Sequence, residues 1–148
     1  MGDPLTSQHE RARLEELDRD ECMRLLAGQT VGRIAVAEPG RAPHVVPVNF
    51  TLVDGSIVFR TGPGTKLDLL ATEPVSFQVD SVDPLLGAGW SVLVQGFALR
   101  APEEQAAVDE LRLETFAPGP RDHWVRIVPD VVSGRRVRLT MGHESWDF

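Results

Sequence analysis

The chain has 148 residues, 42% of them hydrophobic and 25% charged, with a formal net charge of −7 at pH 7. That length carries one domain with its own core, no apolar run is long enough to span a membrane, and the negative charge excludes a general nucleic-acid binder, which needs a basic face. One cysteine precludes an intrachain disulfide framework, and with a polar N-terminus lacking a signal-peptide core it points to a reducing, cytoplasmic setting.

Residues 1–16 are polar and charged without clean periodicity and read as a flexible N-terminal tail or loose helix. Asp18 followed by Glu21 is a capping-box pattern, Leu17 is placed to staple to Cys22, and Gly28 ends the helix predicted over 19–27. Strands are predicted at Val31–Ala37, Val45–Val53 and Ser56–Thr61, with Pro39-Gly40 as a turn and Asp54-Gly55 as a tight hairpin. A helix over 65–72 carries Leu67, Leu70 and Ala71 on one face. Val75–Val82 then alternates, with Val75, Phe77 and Val79 on one side and Ser76, Gln78 and Asp80 on the other.

Pro84–Gly89 reads as a loop, Trp90–Ala101 as a long strand and Glu103–Thr115 as a helix with Pro102 at its first turn. His123–Val128, Val131–Ser133 and Arg135–Thr140 finish the sheet as three pieces, and 141–148 is a C-terminal tail. Many short strands with only three helices favour a small closed barrel over a parallel sheet, and no G-x-G-x-x-G is present.

Lys66 is the only lysine. It lies in Phe59-Arg60-Thr61-Gly62-Pro63-Gly64-Thr65-Lys66-Leu67, where a predicted strand meets a predicted helix. A Gly-rich turn opening a helix presents free N–H groups and the positive end of the helix dipole. With an ammonium and two hydroxyls added, the segment suits a phosphate. The simpler alternative is a plain helix start, with Thr65 and Asp68 as a capping pair and Lys66 in solvent. The four histidines and Cys22 show no metal-ligand spacing, and no Ser-His-Asp order emerges. No catalytic side chain and no metal site are nominated.

The runs Gly32-Arg33-Ile34-Ala35-Val36, Pro47-Val48-Asn49-Phe50, Ile57 to Lys66, and Gly89 to Gly96 resemble, in order and spacing, the pyridoxamine 5'-phosphate oxidase-like split-barrel flavoproteins. Asp122 to Ile127 and Gly134 to Val137 fit the smaller bacterial members, so the resemblance covers about 17–140. It implies a mainly β fold with flanking helices, a six-stranded antiparallel split β-barrel that forms a homodimer, with FMN at the subunit boundary. It implies that Arg60, Thr61 and Lys66 hold the phosphate, beside the Thr65 hydroxyl of the same turn, and that the ring lies along Pro47, Val48, Asn49 and Phe50. Backbone N–H groups of Val48–Phe50 are expected to donate toward the ring. Gln78, Trp90 and Ser91 are expected near the ring or ribityl chain, partly from the second subunit. For Asn49, Gln78 and Trp90 the plainer roles of bulge, surface and core residue stay open.

The bona fide oxidases carry an arginine and a lysine on the second strand and an Arg-x-His near the C-terminus; neither is present between Val45 and Phe50 or after Gly134. The resemblance therefore implies an FMN-dependent oxidoreductase acting on a small organic molecule, with a reduced nicotinamide as donor, rather than a pyridoxamine phosphate oxidase. The alternatives on the same fold are a deazaflavin coenzyme reductase and a non-catalytic flavin- or haem-binding module. If Lys66 meets the phosphate, Lys66→Ala weakens FMN about ten- to hundredfold, the worth of a charge-assisted contact of roughly 1.5–3 kcal/mol, and spares riboflavin. Comparative titration of the two ligands by flavin fluorescence reads this out.

Overall fold

The computed structural model describes residues 12–62, 65–100 and 123–139, with the side chains of 12, 65–67 and 139 excepted. Along the chain run β1 (Ala12–Leu17), α1 (Arg19–Ala27), β2 (Val31–Val36), β3 (His44–Val53), β4 (Ser56–Thr61), α2 (Thr65–Thr72), β5 (Pro74–Asp83), β6 (Ala88–Arg100) and β7 (His123–Leu139). The sheet order is β1-β7-β4-β3-β2-β5-β6, every pairing is antiparallel, and β6 also pairs with β7. That last pairing closes β2 to β7 into a six-stranded barrel, the predicted fold, and leaves β1 as an extra strand on the edge of β7. The helix predicted at Glu103–Thr115 and the tail at 141–148 lie outside the described residues.

Local chemistry sets most boundaries. The Asp18 carboxylate accepts from the Glu21 N–H at 2.9 Å, and the Gly28 N–H bonds the Leu25 carbonyl, so α1 begins and ends where the caps predict. The Glu21 side chain does not complete the box. It turns to Arg24 on its own helix and to Arg136 of β7, Nη2 to Oε1 at 2.9 Å. The Asp54-Gly55 hairpin takes positive φ at both residues, 49° and 77°, as a primed turn between twisted strands requires. The loop predicted at Pro84–Gly89 is shorter, a turn over residues 84–87.

Two expectations are corrected. Residues 12–17 are strand rather than tail or loose helix, because Glu15 and Glu16 register against Arg136 and Arg135 of β7 and charge complementarity offsets the missing apolar alternation. The three C-terminal pieces are one 17-residue strand. Pro129 and Gly134, read as breaks, are accommodated by tertiary context. Up to Ile127 β7 pairs with β4, from Gly134 it pairs with β1, and between them it is hydrogen-bonded to β6 alone. Pro129 falls in that one-sided stretch, opposite Gly96 at a β-bulge, where a missing N–H costs no ladder bond.

The core fills the barrel from every strand. Phe50 and Phe77 meet edge to face, with centroids 4.9 Å apart and planes at 74°, and Phe59, Ile34, Ile57 and Ile127 close around them. Cys22 and Leu26 of α1 and Leu70 of α2 are buried in the same cluster. Burial pushes the Cys22 thiol pKa up, with Asp18 and Glu21 adding to it, so the lone cysteine is a packing residue.

At Gly96 an added Cβ would lie 2.0 Å from the Val128 carbonyl oxygen, an obstacle that no side-chain rotation removes. Gly96→Ala is expected to cost about 1–3 kcal/mol and to lower the thermal midpoint in a calorimetric scan. The Glu21 carboxyl is held at about 2 rather than 4.5, first by hydrogen bonds from Arg24 and Arg136. A depressed folded-state pKa contributes stability above the unfolded value that is lost as pH falls through the folded one. Glu21→Gln should therefore lower the melting temperature at pH 7, and the gap to wild type should close only between pH 4.5 and about 2 in paired melts.

Candidate functional site

Period-two alternation sorts the predicted site residues onto two faces. On β3, Val46, Val48 and Phe50 face the core, Phe50 being 2% exposed, while Val45, Pro47 and Asn49 face outward. The segment expected along a ring thus offers only Pro47 and Asn49 as side chains. The Phe50 N–H, expected to donate to that ring, bonds the Thr30 carbonyl at 2.9 Å instead. Strand β3 must pair with the chain entering β2, and that ladder consumes the donor.

The β3–β4 ladder runs from Val53–Ser56 to Phe50–Phe59. Asn49 and Arg60 are the first residues past its end, and both emerge on the outer face by alternation. Arg60 registers with Trp124 of β7, and its guanidinium lies 5.2 Å from the centre of the Trp124 ring. Trp124 is 8% exposed and packs with Val58 and Val53 in a second cluster outside the barrel. A cation over an indole face is worth about 0.5–2 kcal/mol and fixes the direction of a long side chain. Thr61 ends β4, with its hydroxyl donating weakly to the Gly62 carbonyl at 3.4 Å, and four residues later the backbone enters α2 at Thr65. The side chains of Thr65 and Lys66 lie outside the described residues.

Gln78, Trp90 and Ser91 do not form one cluster. Gln78 faces outward on β5, between Arg33 of β2 and Leu93 of β6. Ser91 also faces outward, in the row Asp80–Ser91–Arg135. Trp90, one residue earlier, points to the opposite face in the row Ser81–Trp90–Arg136 and packs against the core. Neighbours along a strand cannot both present side chains to one face. Within one chain, Gln78 stands two strands from Pro47, roughly 10 Å.

Arg33 and Trp124 were not nominated from sequence. Arg33 stands between Pro47 and Gln78 on the outer face and makes a 3.4 Å ion pair with Asp80, the two side chains 56% and 45% exposed. The sequence signal of Arg33 is its place in the Gly32-Arg33-Ile34 run, and that of Trp124 its place in the Asp122 to Ile127 run, where a core or interface role is the plainer reading. A groove of about 520 Å³ opens beside Ser91, lined by Asp80, Val82, Gly89, Trp90 and Arg135 among others. Among the described residues, no group of three or more His, Cys, Asp or Glu is placed to hold a metal, and no helix is long and apolar enough to cross a membrane.

Residues 18–136 match the pyridoxamine 5'-phosphate oxidase family. The chain belongs to that family. An uncharacterized protein of Mycobacterium tuberculosis, Rv0080, is 35% identical over 129 residues, covering 82% of this chain and 84% of its own. The structure is similar to that of a protein from Mycobacterium smegmatis named as FAD-binding, with a TM-score of 0.67, 34% identity, and 83% of this chain and 98% of that one covered. A Mesorhizobium loti protein, also named as FAD-binding, matches with a TM-score of 0.67 at 26% identity, covering 83% and 97%. The pyridoxamine 5'-phosphate oxidase family match spans both halves of the outer face, from Arg33 to Arg135.

Proposed function

We propose that the protein is a cytoplasmic, flavin-dependent oxidoreductase that holds FMN on the outer barrel face at the β4–α2 junction and reduces a small organic molecule with electrons from a reduced nicotinamide. The observation that carries this reading is the placement of Asn49 and Arg60 just beyond the end of the β3–β4 ladder, with Arg60 steadied over Trp124 where β4 runs on toward α2. These groups fit a planar, polar-edged cofactor with an anionic tail. Arg60 and the Thr61 hydroxyl would bind the phosphate beside the N–H groups that open α2, and Asn49 would offer its amide to the ring. The bound flavin supplies the redox chemistry through its ring. The protein's part is to grip the tail, orient the ring and exclude water.

A second copy of the chain completes the proposal. Phe97 and Leu99 on β6 and Val131 on β7 are 56%, 58% and 50% exposed on the same outer surface, and exposed apolar residues of this kind are where a partner docks. Homodimerisation would hide them and roof the site. FAD, for which two of the neighbours are named, contains the riboflavin 5'-phosphate of FMN, so the same residues would serve either nucleotide.

The protein purified from a flavin-producing host should be yellow, elute as a dimer by light scattering, and release FMN on heating, identified by chromatography. Arg60→Gln should weaken FMN about ten- to hundredfold and affect riboflavin little. Release of FAD would correct the cofactor while keeping the site. Failure to take up either flavin would defeat the reading, and a tightly bound flavin that no reduced nicotinamide bleaches would identify a non-catalytic module.

A further inference from the structure

On the outer face, Pro47 of β3, Arg33 of β2 and Gln78 of β5 stand in one cross-strand row. The adjacent row begins with Asn49 opposite Val31, and on β5 Asp80 continues it. Arg33 is therefore a cation set into the surface expected to lie under a flavin ring, diagonal to Asn49. Its described charged neighbours are few. Asp80 meets it at one point, Nη1 to Oδ1, 3.4 Å apart, and Arg135 stands beyond Ser91. With 56% and 45% of the two side chains exposed, that pair holds little energy. A guanidinium has five N–H donors, and Asp80 engages one of them at long range. The charge is thus anchored loosely and open to a further partner.

We propose that Arg33 supplies the positive charge facing the pyrimidine edge of the bound flavin, and that Asp80 sets how much of that charge the ring feels. The inference rests on the flavin reading above. When a flavin takes a hydride from a reduced nicotinamide, two electrons and one proton arrive at N5 and the donor leaves as oxidised nicotinamide. The ring keeps one negative charge, spread over N1 and the neighbouring carbonyl oxygen. A cation beside that edge stabilises the reduced form and not the neutral oxidised form, so it shifts the equilibrium rather than the affinity for the cofactor as a whole. Asp80 opposes it. Removing the carboxylate exposes the full charge, and removing the guanidinium leaves a lone carboxylate facing the reduced ring.

Flavin-loaded wild type, Arg33→Gln, Arg33→Lys and Asp80→Asn test this, with loading checked by the ratio of flavin to protein absorbance. Sulfite is the probe. Its sulfur lone pair bonds to N5, the ring's N5 π pair moves into the pyrimidine, and the adduct carries the same negative charge with no nicotinamide site involved. The two-electron potential, read against a reference dye, is the second measurement. Arg33→Gln is expected to lose at least tenfold in sulfite affinity and to shift the reduction equilibrium tenfold toward the oxidised form, about 30 mV. Asp80→Asn should move both quantities the other way, and Arg33→Lys should stay near wild type. Flavin-loaded Arg33→Gln equal to wild type in both measurements, or Asp80→Asn moving in the same direction as Arg33→Gln, overturns the role of Arg33 while leaving the flavin site standing. A wild type that takes up no flavin overturns both.

Discussion

One strand holds the barrel together. β7 pairs with β6 along nearly its whole length on one side, and on the other it serves first β4 and then β1. This single pairing closes β2 to β7 into a barrel, leaves β1 as an edge strand and sets β4, from the middle of the chain, one strand away from β6 across β7. The same arrangement leaves β7 one-sided between Val128 and Ser133, which is the split. Helix α1 lies against this region, with Cys22 so close to Gly134 that a Cβ there would sit 2.6 Å from its sulfur. The Glu21–Arg136 and Glu15–Arg136 pairs fasten α1 and β1 to the same strand.

The candidate site follows from that closure. Arg60 has its direction because β7 places Trp124 beneath it, and Trp124 is buried because β4 and β3 contribute Val58 and Val53 to the same external cluster. Asn49 joins them because the β3–β4 ladder stops one pair short of it. The interior is filled by Phe50, Phe59, Phe77 and the aliphatic residues around them, so a cofactor has no room inside. The proposed site is accordingly on the outer face, where Phe97 and Leu99 of β6 and Val131 of β7 are also exposed.

Legibility differed sharply between elements. The limits of α1 were readable to the residue, because Asp18 and Gly28 are caps whose chemistry is local. The β3–β4 hairpin was readable for the same reason, since Asp54-Gly55 accepts positive φ. The one-piece β7 was not, because Pro129 and Gly134 are locally strand breakers and only the bulge at Gly96 and the packing of Cys22 make room for them. β1 was not either: Glu15 and Glu16 carry no apolar pattern, and their partners lie more than a hundred residues away. Within the site, the Arg60-Thr61 segment was visible as a strand-to-helix junction. Arg33 and Trp124 were visible only as members of strands, since what they face is set by register with other strands.

The amino-acid order alone determined the fold class, the family, the two described helices and the strand-to-helix junction after β4, because caps, turns, alternation and motif spacing are written within a few residues of one another. Tertiary structure decided which side each strand residue faces: it buried Phe50, turned Trp90 away from Ser91, and set Arg33 between Pro47 and Gln78. Register is fixed by long-range pairing and by the demand that one face of each strand be dry, and a shift of one residue would exchange the two faces.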